Sequence, residues 1–397
     1  MERDPEDKTA RSTPPAARVI HIYEILALVL LWNSGYKGAR VLNTLYALEL
    51  DAQPFEIGLL LTTYGLFPLL LAVYAGRVAD RYGVRVPLVG GVIVTALGIL
   101  LPFLWPALPT LYLAAVVSGG GFIFVQVSMQ SLTGSLGGSA ERVRNINLYA
   151  MTVSLADFAG PVLAGFSIDH FGHVRTYLHL ALLNVAAVLG LIYFIKRIPA
   201  AAPALADRGR HRMMDLFRSR ELRRVLMASA VVMTGVDLYQ LYMPIYGHSL
   251  GLPASTIGLI LGAFATAAFV TRTLLPALVR RFGEATTLLC SMLLAAATFM
   301  LIPLVGNALV LGMICFMLGL AMGLGQPLLV ILTYNHAPQG RAGEALGLRI
   351  AINNSMHVVM PTLFGAIGSL LGLAPVFWVS AAMIALGSYA TRMKPRG

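Results

Sequence analysis

The chain has 397 residues, of which 57% are hydrophobic and only 12% charged, with a formal net charge of +11. Soluble domains carry about 25% charged residues, so this composition excludes an ordinary soluble protein. Two cysteines, Cys290 and Cys315, both fall in apolar stretches. They argue against a disulfide framework or a thiolate metal site and are expected to be small buried hydrophobes.

The chain begins MERDPEDKTARSTPPAAR, which mixes both signs of charge with prolines and has no apolar stretch before a small-residue cleavage site. It reads as a short disordered cytosolic tail, not a signal peptide. Beyond it, apolar blocks long enough to cross a bilayer predict twelve helices, near 21–47, 56–75, 87–104, 108–134, 146–168, 175–195, 222–247, 256–276, 285–305, 308–334, 343–367 and 373–391. Lys and Arg concentrate in alternate connections: GRVADRYGVR, SAERVRN, the stretch 197–221, VRRFGE, PQGRAGE and the tail RMKPRG. The positive-inside rule therefore puts both termini in the cytosol, with the chain in the plasma (inner) membrane. The basic surplus is an orientation signal that meets lipid head groups, and nucleic acid is not expected as a partner. The long basic stretch 197–221 divides the chain into a tail 1–20, a six-helix bundle 21–196, a linker 197–221, and a second bundle with its short tail 222–397.

The first span contains LLWNSGYKGARVLNTLYALEL at 30–50, with Lys37 and Arg40 inside an apolar run. A cation at the centre of a spanning helix costs about 2.5–3.5 kcal/mol on insertion scales, so something in the fold must compensate. At 100° per residue, Asn33, Lys37, Arg40 and Thr44 share one narrow stripe of this span. Phe122, Gln126, Gln130 and Thr133 share a face of the fourth span, and Arg349, Asn353 and His357 recur every four residues in the eleventh. Polar stripes on otherwise apolar helices point to a wet internal cavity.

The two halves align at a constant offset of 200 residues. Gly35 matches Gly235, Tyr46 matches Tyr246, and Ile57, Gly58 and Leu59 match Ile257, Gly258 and Leu259. Arg81 and Gly83 match Arg281 and Gly283, Gln126 matches Gln326, and Pro161 and Gly165 match Pro361 and Gly365. A constant offset through loops and helices alike indicates tandem duplication. Six spans return the chain to the same side, so the repeats are parallel and related by an axis along the membrane normal.

This arrangement resembles the major facilitator superfamily of secondary transporters. The connection GRVADRYGVR fits that family's G-x-x-x-D-R-x-G-[RK]-[RK] signature at Gly76, Asp80, Arg81, Gly83 and Arg85, with Val84 replacing one expected cation. In its second-half counterpart, PALVRRFGEA, Arg280 stands where an aspartate is expected. ADFAGPVLAG in the fifth span resembles the glycine–proline motif of proton-coupled exporters at Gly160 and Pro161, while the span-4 arginine of drug exporters has no counterpart in AAVVSGGGFIFVQ. The resemblance implies an all-α membrane protein of twelve transmembrane helices in two pseudo-symmetric six-helix bundles, with spans 3, 6, 9 and 12 peripheral. Apart from Arg175 at the very start of the sixth, those four spans contain no Asp, Glu, Lys or Arg, which agrees with that placement by an independent route. Asp80 and Arg81 are expected either to latch neighbouring helices or to form an ordinary basic turn.

The remaining buried charges are Asp157, Asp237 and Arg272, besides Lys37, Arg40 and Arg349. The offset makes Lys37 equivalent to Asp237 and Asp157 equivalent to His357. Two pairings are open: a dynamic Lys37–Asp237 bridge across the pseudo-twofold axis, or a static pair in which Asp157 neutralises Lys37. The expected substrate-binding residues are Asn33, Tyr36, Lys37, Arg40, Gln126, Gln130, Gln240, Gln326, Arg349 and Asn353. Asp157, Asp237 and His357 are candidate proton carriers, and Arg272 belongs to the cavity or to a cytosolic gate. Four cations against two carboxylates favour an anionic organic substrate, since guanidinium forks suit carboxylate or phosphate. Tyr246 is expected in the interfacial aromatic belt and Tyr36 in the cavity.

Eight histidines are scattered without H-x-x-x-H or H-E-x-x-H spacing, so no metal is expected. Without a G-x-x-x-x-G-K-[ST] loop, the chain offers no ATP site, and no cofactor is expected. No nucleophile–base constellation marks an enzyme. The reading is a monomeric secondary active transporter that moves a small, anionic organic solute by alternating access, with proton-coupled export. An importer of an organic acid and an efflux pump for drugs or amphiphiles are the alternatives.

Overall fold

A computed structural model describes residues 21–135, 139–198, 216, 219–338 and 341–390. The predicted tail 1–20 and most of the linker 197–221 lie outside the described residues. All twelve predicted spans are helices: α1 Ile22–Glu49, α2 Pro54–Tyr82, α3 Arg85–Leu104, α4 Leu108–Ser135, α5 Ser139–Phe171, α6 His173–Phe194, α7 Arg220–Ser249, α8 Ala254–Phe282, α9 Glu284–Leu301, α10 Ala308–His336, α11 Ala342–Leu371 and α12 Leu373–Ala390. Ten are long and apolar enough to cross a membrane, Leu373–Tyr389 is a shorter apolar helix, and α1 falls outside both groups. Its shortfall reflects the polar stripe around Lys37 and Arg40.

Several helices run a turn or more past their apolar blocks. The expected loop GRVADRYGVR is a correction of this kind: Gly76, Asp80 and Arg81 lie in the last turns of α2, leaving Gly83 and Val84 to connect α2 to α3. Gly83 has φ 75°, a left-handed conformation in which a side chain would be strained, and its repeat counterpart Gly283 has φ 77°. The duplication is thus written in backbone geometry as well as in residue type.

Within the first half, α1 packs on α5 and α6, and α3 packs on α4 and α6; within the second, α8 packs on α10 and α9 on α12. The halves meet mainly along α2–α11 and α5–α8. Helices α3, α6, α9 and α12 take no part in those two seams, as peripheral spans should. Small residues make the seams tight. A Cβ on Gly58 would lie 2.3 Å from the Pro361 carbonyl oxygen, and one on Gly258 would lie 2.5 Å from that of Pro161. Both contacts sit near the end of the molecule that carries the short α1–α2, α5–α6, α7–α8 and α11–α12 connections. We call this the short-loop face and the opposite end the basic face.

Two expectations about single residues change. Tyr246 is buried and donates to the Val305 carbonyl oxygen at 3.0 Å, with its ring edge-on to Phe377, so it is an internal packing residue and not part of an aromatic belt. Cys290 is exposed on α9, whereas Cys315 is buried with its thiol 3.6 Å from Met243 Sδ. Arg81, for which the sequence leaves both a latch and an ordinary turn open, lies over the ring of its neighbour Tyr82 at 5.4 Å, as Arg281 does over Phe282. Arg85, at the start of α3, donates from Nε to the Ile198 carbonyl oxygen at 2.7 Å, just beyond the end of α6.

Candidate functional site

A close approach of two backbones creates the first feature of the site. Gly160 on α5 faces Gly38 on α1, where a Cβ would stand 2.8 Å from Gly38 N and 2.9 Å from Lys37 Cβ. With no side chain between them, the helices come close enough for Asp157, one turn before Gly160, to reach Lys37. Nζ of Lys37 lies 2.7 Å from Asp157 Oδ1. The Lys37–Asp237 bridge is therefore not formed, and of the two pairings the one within the first half is observed. Asp237 pairs instead with His357, whose Nδ1 lies 2.6 Å from its Oδ2.

The two pairs occupy equivalent places, 200 residues apart, between the first and fifth helices of each half. Their polarity is exchanged: the base is on α1 in one half and on α11 in the other. Both pairs border one central cavity with two lobes of about 500 and 250 Å³. Lys37, Arg40, Leu61, Gln126, Met233 and Gln240 wall both lobes. Asp157, Arg272, Gln326, Tyr239 and Phe264 belong to the larger lobe, and Tyr36, Tyr64, Asp237, Asn354 and His357 to the smaller.

Arg40 is the notable cation. Lys37 is neutralised by Asp157, and Arg272 donates to Ser154 Oγ within reach of the Asp157 charge. Among the described residues, no carboxylate lies within ion-pair distance of Arg40, whose guanidinium sits over the Tyr64 ring at 5.8 Å. Tyr64 is itself fixed: its hydroxyl accepts from Asn43 Nδ2 at 2.6 Å, and Asn43 Oδ1 accepts from the Tyr177 hydroxyl at 2.6 Å. This buried row ties α1, α2 and α6 together behind the cavity wall.

Four predicted substrate contacts line neither lobe. Asn33 is buried in the first half, and Gln130 is exposed on α4 beside Tyr149. Arg349, 7% exposed, donates to Gln326 Oε1 at 3.2 Å and Ser229 Oγ at 3.4 Å, and Ser229 in turn donates to Asn353 Oδ1 at 3.0 Å. The Arg349–Asn353 stripe thus faces α7 and α10 inside the second half. Gln326, held by Arg349 at its oxygen, turns its amide nitrogen to Met233 Sδ at 2.9 Å.

Sequence reasoning missed Tyr64, Phe264, Leu61, Leu261, Ser154 and Asn354 as wall residues. The offset of 200 was the signal that could have found them. Tyr64 and Phe264, Leu61 and Leu261, and Ser154 and Asn354 are matched positions, as are Arg40 and Gln240, and every one borders the cavity.

Comparisons with known proteins agree with this architecture. The chain is 26% identical to the class G tetracycline resistance protein of Vibrio anguillarum over 89% of its own length and 92% of that protein. It is 22% identical to the multidrug resistance protein MdtG of Dickeya zeae, over 87% of each chain, and 22% identical to sugar efflux transporter A of Escherichia coli, over 95% and 97%. A crystal structure of the nucleoside transporter NupG superposes with a TM-score of 0.79 at 11% identity, covering 93% of this chain and 98% of that one. A POT family transporter holding a thioalcohol-conjugated peptide gives 0.78 at 12%, covering 93% and 94%. The family model described as Major Facilitator Superfamily matches residues 35–361, and with twelve helices in two repeat-related halves around one cavity, the chain belongs to that superfamily of membrane transporters.

Proposed function

We propose that this transporter exports an amphipathic organic solute whose acidic group is held at Arg40. The observation that carries the proposal is the position of Arg40 in the wall of both lobes with no carboxylate partner among the described residues. A guanidinium presents a planar fork of donors suited to a carboxylate or phosphate, and the apolar wall of Met233, Leu261, Phe264 and Met322 receives the rest of the molecule. Export follows the names of the efflux relatives. It also suits an acid, because an inside-negative potential favours the exit of each negative charge by about 2.3 kcal/mol per 100 mV.

In this reading the bodies that rock are residues 21–196 and 222–397, joined by the linker 197–221, with the basic face toward the cytosol. The Asp237–His357 pair, an acid and a base that meet in the smaller lobe, is the candidate proton site. A proton held there makes the cavity more positive, so an acidic ligand binds more tightly as pH falls. Cooperation of that sign is the opposite of proton-for-solute exchange, so the drive for exit is the membrane potential.

Asp157 and Asp237 in the same walls support a second reading, efflux of a basic drug that competes with protons for a carboxylate. Thermal-shift measurements on purified protein, with organic acids, amines and neutral isosteres at several pH values, separate the two. Expected are stabilisation by acids that grows as pH falls, disappears in Arg40→Gln and loses its pH dependence in Asp237→Asn. Stabilisation by amines alone, growing as pH rises, would sink the acid reading and make the two aspartates the anchors.

A further inference from the structure

At the short-loop face, each seam between the halves ends in a side chain of one half capping a helix of the other. The Asp169 carboxylate, near the end of α5, accepts from Ala254 N at 3.0 Å through Oδ1 and from Ser255 N at 2.9 Å through Oδ2. These are the first two residues of α8, whose first-turn N–H groups have no partner within their own helix. Two hundred residues on, Ser369 near the end of α11 does the equivalent: its Oγ accepts from Phe55 N at 2.9 Å, in the first turn of α2.

The two caps differ for a reason visible in the sequence. Pro54 occupies the place of Ala254 and has no N–H, so α2 offers one donor where α8 offers two. A hydroxyl uses one donor fully; a carboxylate uses two and adds its charge to the positive end of the helix dipole. Both caps sit beside close backbone contacts of their seams. The Cβ positions of Gly165 and Gly365 would meet Ala254 O at 2.3 Å and Pro54 O at 3.0 Å.

We infer that Asp169 and Ser369 are positioning residues for the conformational step of transport. They hold α5 to α8 and α2 to α11 only while the short-loop face is closed, and the Asp169 cap is the stronger. Neither residue borders the cavity, so neither touches solute. The bonds join different halves, so opening this face must break them, and their strength biases the equilibrium toward the closed arrangement. The inference rests on the reading that the halves rock, but not on the identity of the solute.

Pulsed electron–electron resonance on the full chain in nanodiscs tests it without a substrate. Spin labels replace Leu59 and Leu370 at one seam, and Phe171 and Leu259 at the other, in a Cys290→Ser, Cys315→Ala background. Asp169→Ala is expected to raise the ratio of open to closed distances about tenfold or more, and Ser369→Ala about threefold, the factors that follow from losing charged and neutral hydrogen bonds. Asp169→Asn, which keeps the side chain's shape, falls between the original residue and Asp169→Ala. The decisive variant is Pro54→Ala with Ser369→Asp, which copies the two-donor carboxylate cap onto α2. It is expected to shorten the distances and to offset Asp169→Ala when combined with it. Unchanged distances in Asp169→Asn and Ser369→Ala, or a Pro54→Ala, Ser369→Asp variant that does not close the face, would overturn the inference.

Discussion

Lys37 and Asp157 meet at 2.7 Å across α1 and α5, with their side chains 22% and 30% exposed. Their repeat counterparts, Asp237 and His357, meet in the same place with acid and base exchanged. Duplication preserved a polar contact between the first and fifth helices of each half while divergence reversed its polarity. The lysine's charge is paired within its own half, whereas among the described residues Arg40 has no carboxylate within ion-pair distance.

This predicts a particular pattern of stabilities. Asp157→Asn leaves an uncompensated ammonium and lowers unfolding stability by about 1–3 kcal/mol, in the range for hydrogen bonds to charged groups. Lys37→Met combined with Asp157→Leu costs less than the sum of the single changes, because neither charge is then stranded. Thermal unfolding of the four proteins in one detergent reads the coupling. Additive losses would mean that the pair does not exist in the protein as purified.

A second prediction concerns the seam glycines. A methyl group at Gly58 or Gly258 would stand 2.3 or 2.5 Å from a backbone carbonyl oxygen of the other half. Gly58→Ala and Gly258→Ala each penalise the closed short-loop face by about 1–3 kcal/mol, the usual cost of overpacking. A cysteine replacing Leu61 in the cavity wall, with Cys290 and Cys315 removed, then reacts faster with a bulky maleimide that reaches only the short-loop side of a vesicle. Equal rates with and without the glycine substitutions would refute this.

The Asn43 row gives a third. Interhelical hydrogen bonds in membrane proteins average about 0.6 kcal/mol, so Tyr64→Phe is mild. Asn43→Leu is expected to cost about 1–3 kcal/mol, because it orphans the buried Tyr177 hydroxyl as well as breaking the bond to Tyr64. Adding Tyr177→Phe to Asn43→Leu recovers part of that loss. Unfolding midpoints check the order: Tyr64→Phe above the double variant, and Asn43→Leu lowest.

The fold was legible because bilayer thickness and duplication both leave long-range marks. Twelve apolar blocks and one constant offset are enough to place α1 to α12 in two halves. Helix ends were less legible: α2 continues through Arg81 because backbone bonding persists beyond the apolar block, where hydropathy carries no signal. The site was legible in part. Periodicity grouped Lys37 with Arg40 and Arg349 with Asn353, but it says which residues share a helix face, not which neighbour that face meets. Lys37, Arg40 and Thr44 of the first stripe border the cavity but Asn33 does not; Arg349 and Asn353 of the second are enclosed by α7 and α10, while His357 reaches the smaller lobe. Lys37 had two carboxylates to choose from, and the choice depended on the Gly38–Gly160 approach, a contact between residues 122 positions apart that no local pattern encodes.

Met233 walls both lobes and Met322 the larger one. A thioether chain has three rotatable bonds and no branch, so it can refold around contours that a valine or isoleucine would reject. The cavity therefore combines a fixed demand with a loose one. In the proposed reading, Arg40, backed by the Tyr64–Asn43–Tyr177 row, sets where an acidic group lies, while the methionine side tolerates bodies of different length and breadth. If export is the activity, as proposed, tolerance of this kind extends it to a family of chemically related compounds.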